Sequence, residues 1–269
     1  MITSKRAALN GTELDEIHDR IVIHGIETGD GKEQISAVSS AAGNGQRVTG
    51  KRRDSLDVTV KFGIDIPRTD MVARAEALEL VNGWASSAAN GAFLTVNYKP
   101  GRRLRVRLAQ APGEGNLWEW TKDYTIVFRA YEIPYWEDDE AESAEIGTVS
   151  MTAAGSFSAG GTAPAVVAVE LQNMSGAEIK KVTNITAGVN RMAFDALGLM
   201  ANETLVIDHG ETGLVRIRIR AADGTYRSAM AARTPESADD FAVNPGDNAA
   251  GFEAQRACRM TVLWRCRYL

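Results

Sequence analysis

Between residues 56 and 66 the chain alternates with a period of two. Leu56, Val58, Val60, Phe62, Ile64 and Ile66 are apolar, and Asp57, Thr59, Lys61, Gly63 and Asp65 stand between them. Successive side chains of a strand point to opposite faces, so this run predicts a half-buried strand with one face in a core and the other wet. An earlier strand is expected over 17–26. The Gly- and Asn-rich stretch 41–50, which includes Gly43-Asn44-Gly45, is expected to be an exposed loop. After Pro67, a Thr69 or Asp70 cap opens a run with Met71, Ala75, Leu78, Val81 and Trp84 every three to four residues, which is the spacing of an amphipathic helix. A strand over 93–98 follows. Pro100-Gly101 turns it into the alternating strand Arg103-Leu104-Arg105-Val106-Arg107-Leu108, because Pro presets φ and Gly accepts a positive φ. An aromatic strand beginning near Trp118 and Trp120 runs through 124–131 and stops at Ile133-Pro134.

A domain boundary is expected next. Glu137, Asp138, Asp139, Glu140, Glu142 and Glu145 repel one another and read as a solvated connection. Gly155, Gly160 and Gly161 loosen the chain behind them. The expected domains are therefore 1–140 and 141–269. The second holds strands near 166–171, 178–183, 191–197, 204–207, 215–220, 226–231 and 259–268. Asp223-Gly224 marks a tight hairpin and Asn244-Pro245-Gly246-Asp247-Asn248 another turn. Many short strands with regular turns point to a β-sandwich or jelly roll.

Composition bounds the class. The 269 residues are 44% hydrophobic and 24% charged, which suits one large or two ordinary globular domains. A formal net charge of -5 argues against a dedicated nucleic-acid binder. The first nine residues carry no apolar run and do not read as a secretory signal. The uncharged stretch 146–169 is dominated by Gly, Ser, Thr and Ala and interrupted by Pro164, so it reads as linker plus strand rather than a membrane helix. Cys258 and Cys266 would lie roughly 26 Å apart along one extended strand, beyond disulfide reach, and are expected as free thiols serving as small core hydrophobes.

No catalytic constellation emerges. His18, His24 and His209 share no metal-ligand spacing with each other or with a cysteine. The chain has no P-loop, nucleophile elbow or zinc-protease motif. Carboxylate pairs such as Asp239-Asp240 read as solvated loops, and neither an enzyme nor a cofactor is expected. What stands out is arginine on strands. Arg103, Arg105 and Arg107 form one row, Arg216, Arg218 and Arg220 a second, and Arg259, Arg265 and Arg267 lie opposite the apolar face of the last strand. These rows are solvated outer faces or protein contacts, since the planar guanidinium pairs carboxylates bidentately. With an acidic run on the same chain, complementary patches at different places make head-to-tail contacts that can close into a ring.

Four segments in order resemble the distal tail protein (Dit) family of long, non-contractile-tailed bacteriophages and prophages. They are 53–62 followed by the helix to Trp84; Arg103-Leu104-Arg105-Val106 followed by the strand closing in Tyr131-Glu132-Ile133-Pro134-Tyr135-Trp136; 161–169 leading to Leu205-Val206-Ile207-Asp208; and Asn244-Pro245-Gly246-Asp247-Asn248 before Arg265-Cys266-Arg267-Tyr268-Leu269. The resemblance covers nearly the whole chain. It implies a mainly β protein: an N-terminal β-barrel-like sandwich with one α-helix, related to tail-tube proteins, and a C-terminal galectin-like β-sandwich at the periphery. It further implies a homo-hexameric ring at the distal end of a virion tail, assembled in the bacterial cytoplasm. The ring would join the tail-tube protein to the tail-tip or hub protein around a channel for the tape-measure protein and DNA. There would be no sequence-specific nucleic-acid contact, no membrane insertion and no cofactor. The family carries no set of functional residues to transfer. The alternatives are a carbohydrate-binding module for host adhesion and another tail-tube or hub subunit.

Overall fold

A computed structural model describes residues 5–39, 46–67, 69–113, 124–210 and 213–269. The chain is mainly β and divides into two compact units, Met1–Trp136 and Glu137–Leu269. The division falls a few residues before the expected 140/141.

The first unit opens with β1 (Ala7–Leu9) and β2 (Thr12–Glu13), joined by Asn10-Gly11, both at positive φ (49° and 88°) as a tight hairpin requires. A single helical turn α1 (Leu14–Ile17) follows, then β3 (Ile21–Thr28), β4 (Lys32–Ser39) and the 19-residue β5 (Gln46–Ile64). The long helix is α2 (Met71–Ser86); β6 (Ala92–Val96), β7 (Arg102–Gln110) and β8 (Tyr124–Ala130) complete the sheet. The strand order is β2-β1-β6-β7-β8-β5-β3, with β4 on the outer half of β5. Leu56, Val58, Val60, Phe62 and Ile64 are all buried, as the alternation predicts. Ile66 is only half-buried, because the strand ends at Ile64. Asp70 caps α2, its Oδ1 accepting from the Ala73 N–H at 3.1 Å. Leu78, Val81 and Trp84 then face the sheet, with the Trp84 ring edge-on to Phe128 at 5.7 Å. Burying each such side chain stabilises by about 1.5–3 kcal/mol.

Two expectations change here. Residues 46–50 are strand rather than loop, because they pair with 36–39 of β4; residues 40–45, with Gly43-Asn44-Gly45, lie outside the described residues. The aromatic strand is described only from Tyr124, so Trp118 and Trp120 also lie outside them.

The second unit is a β-sandwich built on two long strands. β9 (Trp136–Asp138) spans the boundary and is followed by the 18-residue β10 (Glu142–Ala159). Next come β11 (Ala165–Asn173), β12 (Ile179–Ala187), β13 (Asn190–Leu199), β14 (Thr204–His209), β15 (Val215–Arg220) and β16 (Tyr226–Ser228). A 3₁₀ turn (Met230–Ala232) leads to β17 (Ala242–Val243), the 19-residue β18 (Gly246–Trp264) and β19 (Arg267–Tyr268). The order is β13-β12-β18-β11-β14-β15-β16, with β10 on the other side of β18. The first half of β18 pairs with β12 and its second half with β11, while β10 follows it along the whole length. Register shifts in β10 between Ile146 and Thr152 mark the bend where these strands pass from one layer to the other. Gly147 sits there at φ 77°, where a Cβ would come 2.5 Å from that of Ala153. The core between the layers includes Val167, Leu171, Phe194, Ile207, Phe252, Met260 and Trp264.

The expected linker over the acidic run and 146–159 is therefore mostly strand, broken only at 139–141. Small side chains lie flat on a ladder as readily as in a loop, and β18 supplies the partner that composition does not reveal. The acidic run is not wholly solvated either. Glu137 is buried and accepts from Arg267 Nε at 2.8 Å, so Arg267 belongs to the interior rather than to an outer face. The last strand ends at Trp264, and β19 turns away to pair with β9.

Candidate interaction surfaces

On β7, Leu104 and Val106 enter the core and Arg103, Arg105 and Arg107 share the opposite, half-buried face. Arg103 stacks 4.0 Å from the Phe93 ring centroid and Arg105 lies 5.9 Å from it. Arg107 stands directly across from Arg129 of β8. Like charges so placed repel, and two carboxylates offset this: Glu132 accepts from Arg107 Nε at 2.8 Å, and Asp57 accepts from Arg129 Nε and Nη2 at 2.5 and 2.7 Å. That bidentate bond raises the Arg129 pKa further above its ordinary value.

On β15, Ile217 and Ile219 are buried and Arg216, Arg218 and Arg220 face outward. Asp208, across the ladder on β14, accepts from Arg216 Nε at 2.7 Å and Arg218 Nη2 at 2.6 Å. Arg220 forks onto both oxygens of Glu170 on β11, each at 3.0 Å, and Arg218 stacks 4.4 Å from the Tyr226 centroid. Both rows are thus engaged inside the chain by groups the linear sequence does not pair. The signal was present for Asp57, which sits on the polar side of the 56–66 alternation; cross-strand register supplies the rest. Arg265 donates to the carbonyls of Asp138 and Asp139, and Arg259 lies 3.9 Å from Glu145.

The residues able to do chemistry are scattered. His18 accepts from the Arg20 N–H, and His24 lies on β3. His209 ends β14; burial lowers its pKa, so it is neutral near pH 7. Cys258 and Cys266 are free and buried, and burial pushes their thiols up to about 12 and about 11, so neither is a ready nucleophile. Asp138, Glu142 and Cys266 bring one ligand atom each within 4.8 Å of one another. The protonated Cys266 thiol donates to Glu142 at 3.5 Å in that cluster, which is the bonding of a structural corner.

Two features of the first unit were not read from sequence. An open groove beside α2 is lined by Leu9, Ile17, Glu79, Leu80, Gly83 and Trp84 among others. A Cβ added at Gly83 would meet nothing within 4 Å. The second is the ribbon made by β4 and residues 46–55 of β5, which carries exposed Ile35 and Val48. No described helix is long and apolar enough to cross a membrane.

Among the described residues, two antiparallel β units, one long helix and surface arginines tied into ladders define a mainly β protein with a sandwich as its second unit. The particular fold is that of the SPP1 Dit (gp 19.1) protein, a hub of the adsorption apparatus in phages that infect Gram-positive hosts. The two align over 98% of this chain and 99% of that one, with a TM-score of 0.66 at 14% identity. Chains from the phage P2 baseplate in its activated conformation, with Ca and with Sr, align over 97–99% of both chains at TM-scores of 0.45 and 0.46 and 8% identity, too loose a likeness to define a fold. No family model matches the sequence, and no curated protein matches it.

Proposed function

We propose that the chain is a structural subunit of a bacteriophage tail, acting as a distal tail hub. In this reading six copies close into a ring through their first units, the second units lie at the periphery, and the ring joins the tail-tube protein to the tail-tip proteins. A central channel would pass the tape-measure protein and DNA, and an acidic chain suits a channel that must not hold DNA. The observation that carries the reading is that the similarity to SPP1 Dit runs through both units in order, over nearly all of both chains. Solution mass and negative-stain electron microscopy of the purified chain test it. Six-fold rings with an open centre are expected; a monomer at high concentration and low salt would sink self-assembly into a ring.

A further inference from the structure

We propose that the outer edge of β10, over residues 152–159, receives an added strand: an extended segment of another protein with a Lys or Arg at each end. This edge lies in the second unit, and its use does not depend on ring closure.

A strand at the rim of a sheet presents unpaired N–H and C=O groups, and proteins guard such rims with short strands, charge, proline, bulges or a covering loop. The second unit guards its other rims. β16 is three residues long and includes Arg227. β13 is covered by 233–238, where the Thr234 and Ala238 N–H groups donate to the Ala193 and Arg191 carbonyls. β10 pairs with β18 alone among the described strands. Its register shifts end at Thr152, and from there to Ala159 every residue stays in step with β18. No charge or proline falls between Ile146 and Ala159. Phe157 and Ala159 are buried, while Ala154, Ser156 and Ser158 alternate with them on the exposed face and are small enough to leave the backbone open to a neighbour.

Charge selects the occupant. Across the ladder, Glu253 stands beside Thr152 and Asp247 beside Ser158. Both carboxylates are exposed, and neither has an ion pair among the described residues, whereas Glu170, Asp208 and Glu203 of the same unit each hold an arginine. An added strand lies about 10 Å from β18, two strand spacings. A Lys or Arg opposite Thr152 or Ser158 reaches the acid over that small residue. The two bases therefore stand as far apart in the incoming segment as Thr152 and Ser158 do in β10. Main-chain bonds supply affinity, and the end charges set register. A second copy fits worse, because residues 146–159 and 246–253 offer these two acids and no base.

The test uses the full chain and a fluorescent, end-blocked heptapeptide, Lys-Val-Thr-Val-Thr-Val-Lys, followed by anisotropy. Saturable binding is expected. Asp247→Asn with Glu253→Gln should weaken it about tenfold, and a peptide with glutamate in place of both lysines should not bind. Alternate N–H groups of an added strand point at the ladder and the rest at solvent. N-methylation of the three valines or of the two threonines should therefore abolish binding, and the other modification should leave it. Ser156→Cys puts a thiol on the edge while the native thiols stay buried, and bound peptide should slow its labelling by a maleimide. No binding overturns the proposal. Binding that survives both N-methylations also overturns it, since charge attraction alone needs no ladder. Covalent dimers of Ser156→Cys formed by a short bismaleimide without peptide overturn it in favour of a second copy. The ring reading stands or falls separately, on solution mass.

Discussion

Glu203 illustrates how much of this surface is held by single carboxylates. Its side chain accepts from Arg227 Nη1 and Nη2 at 2.6 Å each and from the Met200 N–H at 2.8 Å, tying β16 to the turn between β13 and β14. The Arg227 bond, more than any other cause, holds the carboxyl below its ordinary pKa, against burial pulling the other way. A carboxylate lowered in the folded state contributes stability above its unfolded pKa and loses it as the pH falls through its folded value. Glu203→Gln should therefore cost about 1–2 kcal/mol at pH 7. The gap to the native chain should close as the pH drops below about 4, and thermal unfolding across roughly pH 2.5–7 would show it. A gap independent of pH would mean that the charge does not matter. Asn173 does similar work without a charge. Fully buried, it donates to the carbonyls of Ala177, Leu199 and Met200 and accepts from Ser175. No spacing in the sequence distinguishes it from a turn asparagine, because its partners arrive from two other strand ends.

At the scale of elements, the legible parts were those whose pattern is local. The 56–66 strand alternates against its own neighbours, and α2 announces its cap and its apolar stripe within four turns. β10 fails that test: Gly147, Gly155 and a run of Ala, Ser and Thr give no period, and strand status comes only from β18, far along the chain. The arginine rows were visible as rows, yet their carboxylates were not, since Asp208 and Glu170 reach them from other strands of the sheet and Glu132 from the bend after β8. Gly147 is where this element can be probed. A side chain there meets both a positive φ and the Ala153 methyl group. Gly147→Ala should destabilise by roughly 1–3 kcal/mol, read from denaturant midpoints, whereas Gly176→Ala, which faces open space in a surface turn, should change little.

At the scale of the molecule, the acidic run turns out to be the start of the second unit. Glu137 and Arg267 are a nearly buried pair, with side chains 12% and 10% exposed, and β9 and β19 pair around them. Two truncated chains separate this from a solvated linker. Residues 137–269 alone should unfold cooperatively. Residues 141–269, which strand the Arg267 guanidinium without its carboxylate, should be less stable by about 3 kcal/mol. Equal midpoints in urea would show that the pair and the β9–β19 contact contribute nothing.

The two strands shared by both layers of the second unit also set a timetable. β10 is synthesised early in that unit, and every residue of its ladder partner belongs to β18, roughly a hundred residues later, a separation that slows closure. A nascent chain emerging from the ribosome therefore carries β10 as an unmated strand while β11 to β17 are made. The sandwich can only snap shut once β18 is out. Ala, Ser, Thr and Gly fill most of its length, so apart from Ile146, Val149, Met151 and Phe157 it offers little apolar surface to stick elsewhere during that wait.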